Sequence, residues 1–394
     1  MSLEQSNIVA AFHEALGLMA AGDFKSAEPR WREITTVAPA SAEAWANLGI
    51  SLLELGRFDE AEAGVRRAVA MKPGAPWAHQ QLGKLLTYTG RWREAVAPFQ
   101  QRLALDPSNP AAKLALAYAY LGLGDYERGG PLYESRMDVA GQGAERLLMP
   151  NQWTGESVAG KSLLIWPEQG FGDQIQFARF APLLQQMGAD VTLVCPPPLV
   201  ALFQTLGVRI VEQSDETTLA APDYWTLPLS IPHRLGMSLE DVPAAPYLRA
   251  PDDARGRWVG VAPPRAVGFA WRGRATHAND AHRSLASPEA LRSLIEDTGR
   301  PALDLVDRAG DFAELAALVE QLDLVITVDT AVAHLAGALG KPCWILLPWY
   351  RQDWRWLQGR ADTPWYPSVR LFRQPEMGQW NPVFDEVRRV LQAR

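Results

Sequence analysis

The sequence predicts a helical repeat solenoid followed by an α/β region of two open parallel sheets that face each other across a cleft. Three observations carry this expectation. Landmark residues recur every 34 positions through the first third of the 394-residue chain. The period then vanishes, and short apolar runs alternate with helix-patterned stretches, as they do where helices cover parallel strands. A Pro- and charge-rich passage, about residues 241–264, divides that alternation into two blocks.

The repeat comes first in the chain. Pro39, Pro73 and Pro107 are 34 apart, as are Gly22, Gly56, Gly90 and Gly124. Ala27, Ala61 and Ala95 keep the same step, with Gly129 in the fourth place, and Leu48-Gly49 recurs as Leu82-Gly83. Small residues let paired helices approach, glycine separates the first helix of a pair from the second, and proline closes the pair. The landmarks Trp45, Leu48, Gly49, Gly56, Ala61, Ala68 and Pro73 resemble the tetratricopeptide repeat, as do Leu82, Gly83, Gly90, Ala95, Phe99 and Pro107. Repeats are expected at about 8–41, 42–75, 76–109 and 110–143, the outer two matching less well, as capping repeats do. The resemblance implies a concave face that grips a peptide or partner protein.

After a polar, Gly-rich passage, strands are expected at Leu163 to Trp166, Val191 to Cys195, Val208 to Val211 and around Asp223 to Leu229. One helix is expected to carry Phe177, Phe180, Leu184 and Met187 on a single face, and another to run from Leu199 to Leu206. The passage 241–264 reads as a linker. Beyond it come a strand at Val267 to Ala270, a helix at Pro288 to Glu296, a strand at Leu303 to Val306 and an amphipathic helix from Phe312 to Leu322. A strand–helix–strand unit follows in "VITVDTAVAHLAGALGKPCWILLP", then a Trp-rich loop region and a last helix near Val383 to Ala393.

Composition narrows the function. Hydrophobic residues at 47% and charged residues at 21% are ordinary for a globular chain. A net charge of -7 argues against a nucleic-acid partner, because a phosphate backbone calls for a basic face. Cys195 and Cys343 bound apolar runs and read as small buried hydrophobes. The sequence shows no metal-type Cys/His cluster and no membrane-length apolar run. The start "MSLEQSNIVAAFHEALG" has no basic stretch with a cleavage site, so a cytoplasmic location is expected.

Candidate site residues sit where strands give way to helices, the ligand edge of an open parallel sheet. Asp329-Thr330 follows one such strand. Either residue can cap the next helix, leaving first-turn N–H groups and the helix dipole as an anion site. His334, one turn in, offers a hydrogen bond or a positive charge, or is a packing residue. In "EQGFGDQ", Gly170 and Gly172 permit close backbone approach to a ligand, but neither a Walker lysine nor a third glycine follows. Asp173 either caps its helix or takes a proton from a hydroxyl nucleophile. In "WRGRATHANDAHRSL", Arg272, Arg274 and Arg283 suit bidentate contact with phosphate or form a solvated basic loop. The later rings Trp349, Tyr350, Trp354, Trp356, Trp365 and Tyr366 either plug the loop onto the core or stack on a ligand, with Arg351 or Arg355 beside them for phosphate.

Residues from about 160 to 394 resemble bacterial glycosyltransferases of family 9, the heptosyltransferase type, which have the GT-B fold of two Rossmann-like domains facing a cleft. Gly172-Asp173 matches that family's Gly-Asp after the first strand. Asp329, Thr330, Ala331, His334 and Ala336 match its Asp-Thr-Gly-x-x-His-x-Ala, with alanine in place of the glycine. Arg283 is the nearest match to its basic contact with the donor diphosphate. Repeats followed by GT-B are similar in layout to the O-GlcNAc transferases and to bacterial glycosyltransferases that modify proteins.

The resemblance implies repeats over 1–143, a linker over 144–160, an acceptor-side domain over 161–250 and a nucleotide-sugar domain over 264–394. It implies a metal-independent, inverting transferase with Asp173 as general base. Gly170, Gly172, Arg272, Arg283, Asp329, Thr330 and His334 are expected on the donor. A nucleotide sugar is the co-substrate, no other cofactor is needed, and the repeats select a protein acceptor. The alternatives are an inactive repeat scaffold and an envelope-polysaccharide heptosyltransferase-like enzyme.

Overall fold

The computed structural model describes residues 3–142, 149–214, 220–306, 308 and 311–394. Residues 144–148 of the expected linker lie outside these. The chain forms two compact units, Met1–Leu123 and Gly124–Arg394.

The first unit is helical: α1 (Leu3–Ala20), α2 (Phe24–Val37), α3 (Ala42–Glu54), α4 (Phe58–Met71), α5 (Pro76–Tyr88), α6 (Trp92–Leu105) and α7 (Pro110–Gly122). The 34-residue period is the period of its turns. Gly22, Gly56 and Gly90, with Gly124 at the start of the second unit, adopt φ of 76°, 75°, 75° and 80°, a left-handed backbone that glycine takes without a Cβ clash. The paired small residues set helix spacing. A Cβ on Gly83 would stand 2.4 Å from the Phe99 ring, so α5 and α6 meet at a distance no larger residue allows.

The second unit opens with α8 (Tyr126–Tyr133) and a 3-10 turn, Glu134–Asp138. Its first sheet interleaves β1 (Ser162–Ile165), α9 (Phe171–Phe177), α10 (Phe180–Gln186), β2 (Asp190–Cys195), α11 (Pro197–Phe203), β3 (Arg209–Glu212) and β4 (Tyr224–Thr226). The strands are parallel in the order β3-β2-β1-β4. Then come α12 (Ile231–Arg234) and α13 (Asp252–Trp258). The second sheet contains β5 (Val267–Ala270), α14 (Asp280–Arg283), α15 (Glu289–Glu296), β6 (Ala302–Asp304), α16 (Phe312–Glu320), β7 (Leu324–Val328), α17 (Ala331–Ala338), β8 (Cys343–Leu347), β9 (Val369–Arg373) and α18 (Asn381–Gln392). It too is parallel, ordered β6-β5-β7-β8-β9. Both β7 and β8 are buried along their whole length, which is why they read as unbroken apolar runs. The architecture is a helical repeat region followed by two Rossmann-like sheets, as the sequence predicts.

Three elements differ from expectation. The helix expected to carry Phe177 to Met187 is two helices broken at Ala178-Arg179, and Met187 is exposed. The expected linker contains α13, whose Arg255 pairs with Glu320 at 2.7 Å. The Trp-rich loop region hides β9, in which Val369, Leu371 and Phe372 are buried while Arg370 and Arg373 interrupt the apolar pattern.

A buried ion pair fixes the loop that leaves β1. Arg136 is fully buried and holds Glu168 through two bonds, Nε to Oε2 at 2.9 Å and Nη2 to Oε1 at 3.0 Å. Glu168 also accepts from the Leu229 N–H at 2.8 Å, which joins the loops after β1 and β4. An unpaired buried carboxylate costs far more than the pair contributes. Arg136→Leu should therefore lower the stability of the second unit by about 3–5 kcal/mol. Urea denaturation checks this, and a loss below about 1 kcal/mol would contradict it.

Candidate functional site

Chain order reverses between β5 and β7 in the second sheet, and between β1 and β4 in the first. At such a switch point neighbouring loops leave in opposite directions and open a crevice at the carboxyl ends of the strands. In the first sheet that point is occupied by Glu168 and its bonds. In the second it is lined by residues 271–284 and by Asp329-Thr330.

Thr330 caps α17 with extended backbone, φ -146° and ψ 175°, and its Oγ1 accepts from the Val332 N–H at 3.3 Å. Asp329, just before it, is partly buried. Burial first, and then the charge of Asp353, pushes its carboxyl up to about 6, against the pull of Arg283 and Arg355. Arg283 ends α14 with its Nε 3.5 Å from Asp280 Oδ1. The Ser284 hydroxyl donates to the same oxygen at 2.8 Å and accepts from the Gly273 N–H at 2.9 Å. A Cβ at residue 273 would stand 2.5 Å from Arg283 Nη2, so glycine there makes room for the guanidinium. Arg272 lies over the Trp271 ring, and Arg274 over the Phe171 ring of the first sheet's side, each at 5.3 Å.

The two sheets meet at Arg355, in the loop after β8. Asp353 caps the turn Trp354–Trp356 by accepting from the Arg355 N–H at 2.9 Å. The Arg355 guanidinium donates to both oxygens of Asp353, at 3.2 and 3.1 Å, and through Nε to Gln176 Oε1 at 2.8 Å. Its Nη2 donates to Asp173 Oδ1. The other oxygen of Asp173 accepts from the Gly170 N–H at 2.9 Å. Asp173 thus caps α9 and also pairs with a cation from the opposite sheet. Only 22% of its side chain is exposed.

Helices α9 and α17 pack directly. A Cβ on Gly172 would lie 2.9 Å from His334 Cδ2, so this glycine admits the imidazole ring. Gly170 is the N-cap of α9. The close backbone approach to a ligand expected of this loop is taken up at Gly172 by His334. His334 stacks on Trp356 at 5.3 Å, and its Nδ1 is 3.0 Å from the Tyr366 hydroxyl. Burial, then the charges of Arg355 and Arg179, hold its pKa well below the usual histidine range. It is neutral at pH 7, a correction to the positive charge considered for it.

Tyr350, Trp354, Trp356, Trp365 and Tyr366 are all buried, which fits the plugging alternative. Arg179, at the break between α9 and α10, donates to the carbonyls of Pro243 and Trp365 at 2.8 Å and lies 4.6 Å from the Tyr366 ring.

Asp173, Asp329 and Arg283 therefore come together with Asp280, Asp353, Arg355 and His277, whose charges act on one another. Thr330 stands at the same mouth, while Gly172 and His334 form the packing beneath it. The sequence pointed to no role for Asp353, and it offered Arg355, as an alternative to Arg351, only as a partner for phosphate and not as the partner of Asp173. The signal was Asp353-Trp354-Arg355, a capping residue followed by a turn. Among the described residues, no group of three or more His, Cys, Asp or Glu side chains could hold a metal ion, and no helix is long and apolar enough to cross a membrane.

Comparison with known proteins adds two family matches. The tetratricopeptide repeat family matches residues 12–76 and 81–144, and glycosyltransferase family 9 (heptosyltransferase) matches residues 282–346. The second match spans Arg283, Asp329, Thr330 and His334 and leaves Asp173 outside it. Protein FlbA of Caulobacter vibrioides is 28% identical over 328 residues, which cover 71% of this chain and 54% of FlbA. The chain thus spans about half the length of that curated relative.

Solved structures similar to this chain include MamA MSR-1, at 21% identity and a TM-score of 0.29 over 34% of this chain and 78% of that one. The Arabidopsis OM64 TPR domain is 22% identical with a TM-score of 0.28, over 29% of this chain and 96% of that one. The chain thus joins a segment that matches the tetratricopeptide repeat family to one that matches glycosyltransferase family 9.

The raised pKa of Asp329 has a sign. In the unfolded chain an aspartate titrates near 3.9. Between about pH 4 and pH 6 the folded state holds the proton that the unfolded state has lost, so stability falls as pH rises through this window. Asp329→Asn removes that dependence. The melting temperature of the variant, relative to the native chain, should climb from pH 4 to pH 6 and then level off. Parallel melting profiles across this window would contradict the assignment.

Proposed function

We propose that the chain transfers a sugar from a nucleotide-sugar donor to a hydroxyl on a protein acceptor that the repeats select. One observation carries the reading. A carboxylate from the first sheet, Asp173, pairs with Arg355 of the second, whose neighbour Trp356 stacks on α17, a helix within the segment that matches family 9.

In this reaction the acceptor oxygen forms a bond to the anomeric carbon and its proton passes to the Asp173 carboxylate. The bond from the anomeric carbon to the diphosphate oxygen breaks, and its electron pair leaves with the nucleoside diphosphate. Arg283 and the first-turn N–H groups of α17 stabilise that departing charge. A guanidinium and aligned peptide dipoles supply this without a metal ion, and a single displacement inverts the anomeric centre. Thr330 keeps the first turn aimed at the diphosphate, and neutral His334 holds α17 against α9.

A second reading, a scaffold that binds the nucleotide without transferring the sugar, is favoured by one fact: both Asp173 oxygens already have partners.

The two readings separate experimentally. Calorimetry should show a nucleoside diphosphate binding equally well with and without chelator, and binding should weaken at least about tenfold in a Thr330→Ala, Arg283→Ala double variant. Intact-mass analysis of a candidate acceptor should show a mass gain of one sugar. Asp173→Asn, which still caps α9, should slow that gain by about 10² or more. Binding without any transfer by the native chain would favour the scaffold, and binding that needs a divalent metal would overturn the mechanism.

A further inference from the structure

We propose that Arg355 switches partners during the reaction: it holds Asp173 before the donor binds, and passes to the donor diphosphate afterwards, which releases Asp173 Oδ1 towards the acceptor hydroxyl. This rests on the nucleotide-sugar reading above and assigns Arg355 as a donor-binding residue that controls the general base.

The argument starts from which bonds can separate. Asp353 lies on the same turn as Arg355 and holds it through both carboxylate oxygens, so that pair moves as one body. The bond from Nη2 to Asp173 runs from one sheet to the other. It is the bond that another anion can take over without unfolding the turn. The fork geometry of a guanidinium suits such an exchange, because carboxylate and phosphate present the same paired oxygens.

Charge points the same way. Asp173, Asp280, Asp329 and Asp353 share this mouth with Arg283 and Arg355. A dianion entering beside so many carboxylates needs guanidinium hydrogen bonds that are now committed to aspartates. Arg283 is held only loosely, at 3.5 Å from Asp280, and lies against the backbone of Gly273. Trp356, the neighbour of Arg355, stacks on His334 of α17 at 5.3 Å, and the charges of Arg355 and Arg283 both act on the Asp329 carboxyl just before that helix. Taking Arg355 neutralises the diphosphate and frees the base in one move. The acceptor would then meet a competent base only after the donor has bound.

Competition for Arg355 has a testable signature. Removing the Asp173 charge should tighten, not weaken, the binding of the leaving group. The four common ribonucleoside diphosphates are titrated into the full chain by calorimetry, and the tightest is carried through a double-mutant cycle. Asp173→Asn should raise its affinity about tenfold, and in an Arg355→Gln background that gain should vanish. Should Arg355→Gln not fold, Arg355→Lys serves, because a single ammonium keeps the charge but cannot grip both carboxylates as a fork.

A gain that persists in full without the arginine would mark simple long-range repulsion and overturn the proposal. So would an Asp173→Asn affinity within about twofold of the native chain. Failure of all four nucleotides to bind the native chain is a different result, and it would sink the nucleotide-sugar reading itself.

Discussion

The Arg355 guanidinium is the point on which the second unit depends. It comes from the sheet that carries α17, yet two of its four partner side-chain oxygens, on Asp173 and Gln176, belong to α9 of the other sheet. Burying a charge is costly unless hydrogen bonds and an opposite charge meet it, and here both conditions are filled from two directions. Without that grip, α9 and α17 would be held by the His334 ring against Gly172 and by the tyrosine and tryptophan around it. Packing of that kind sets distance. The ion pair adds direction, and it places a carboxylate of one sheet opposite the strand ends of the other.

Arg136, Arg179 and Arg355 show how differently one fold can accommodate a buried guanidinium. Arg136 has a bidentate carboxylate in Glu168 and adds Glu134, at 3.0 Å, and the Ser230 hydroxyl. Its role is to fix the loop that leaves β1. The contacts of Arg179 are carbonyl oxygens, the Tyr247 hydroxyl and the faces of Tyr247, Trp365 and Tyr366. Ring faces and carbonyl dipoles replace an anion there, and the result is a joint without an exchangeable charge. Arg355 has two aspartates, both partly open to solvent. Of the three, Arg355 is the one that reaches a carboxylate of the opposite sheet, and it lies at the proposed site.

Much of this was legible in the sequence because the signals were local. A left-handed turn every 34 residues demands glycine, and a doubly covered strand demands an unbroken apolar run; Gly56, Gly90, β7 and β8 could be placed on those grounds. That a cap would stand at Asp329-Thr330 was legible from the strand end, but that Thr330 makes it was not. What escaped depends on contacts between distant residues. Arg355 and Asp173 are far apart in the chain, and nothing near either of them marks the pairing. The ring that fills the space beside Gly172 comes from His334, so a glycine that looked fit for a ligand serves packing. β9 was hidden because Arg370 and Arg373 interrupt its apolar pattern. Arg370 lays its guanidinium over Phe372, and Arg373 reaches the Trp356 carbonyl, so both charges are used locally.

The most direct test of this account is a crystal structure of the chain with a nucleoside diphosphate bound. The account predicts diphosphate oxygens within hydrogen-bond distance of the Arg283 guanidinium and of the first N–H groups of α17, with Arg355 Nη2 turned from Asp173 to phosphate. A diphosphate seated on α9 of the first sheet, with Arg283 still on Asp280 and Arg355 still on Asp173, would contradict it.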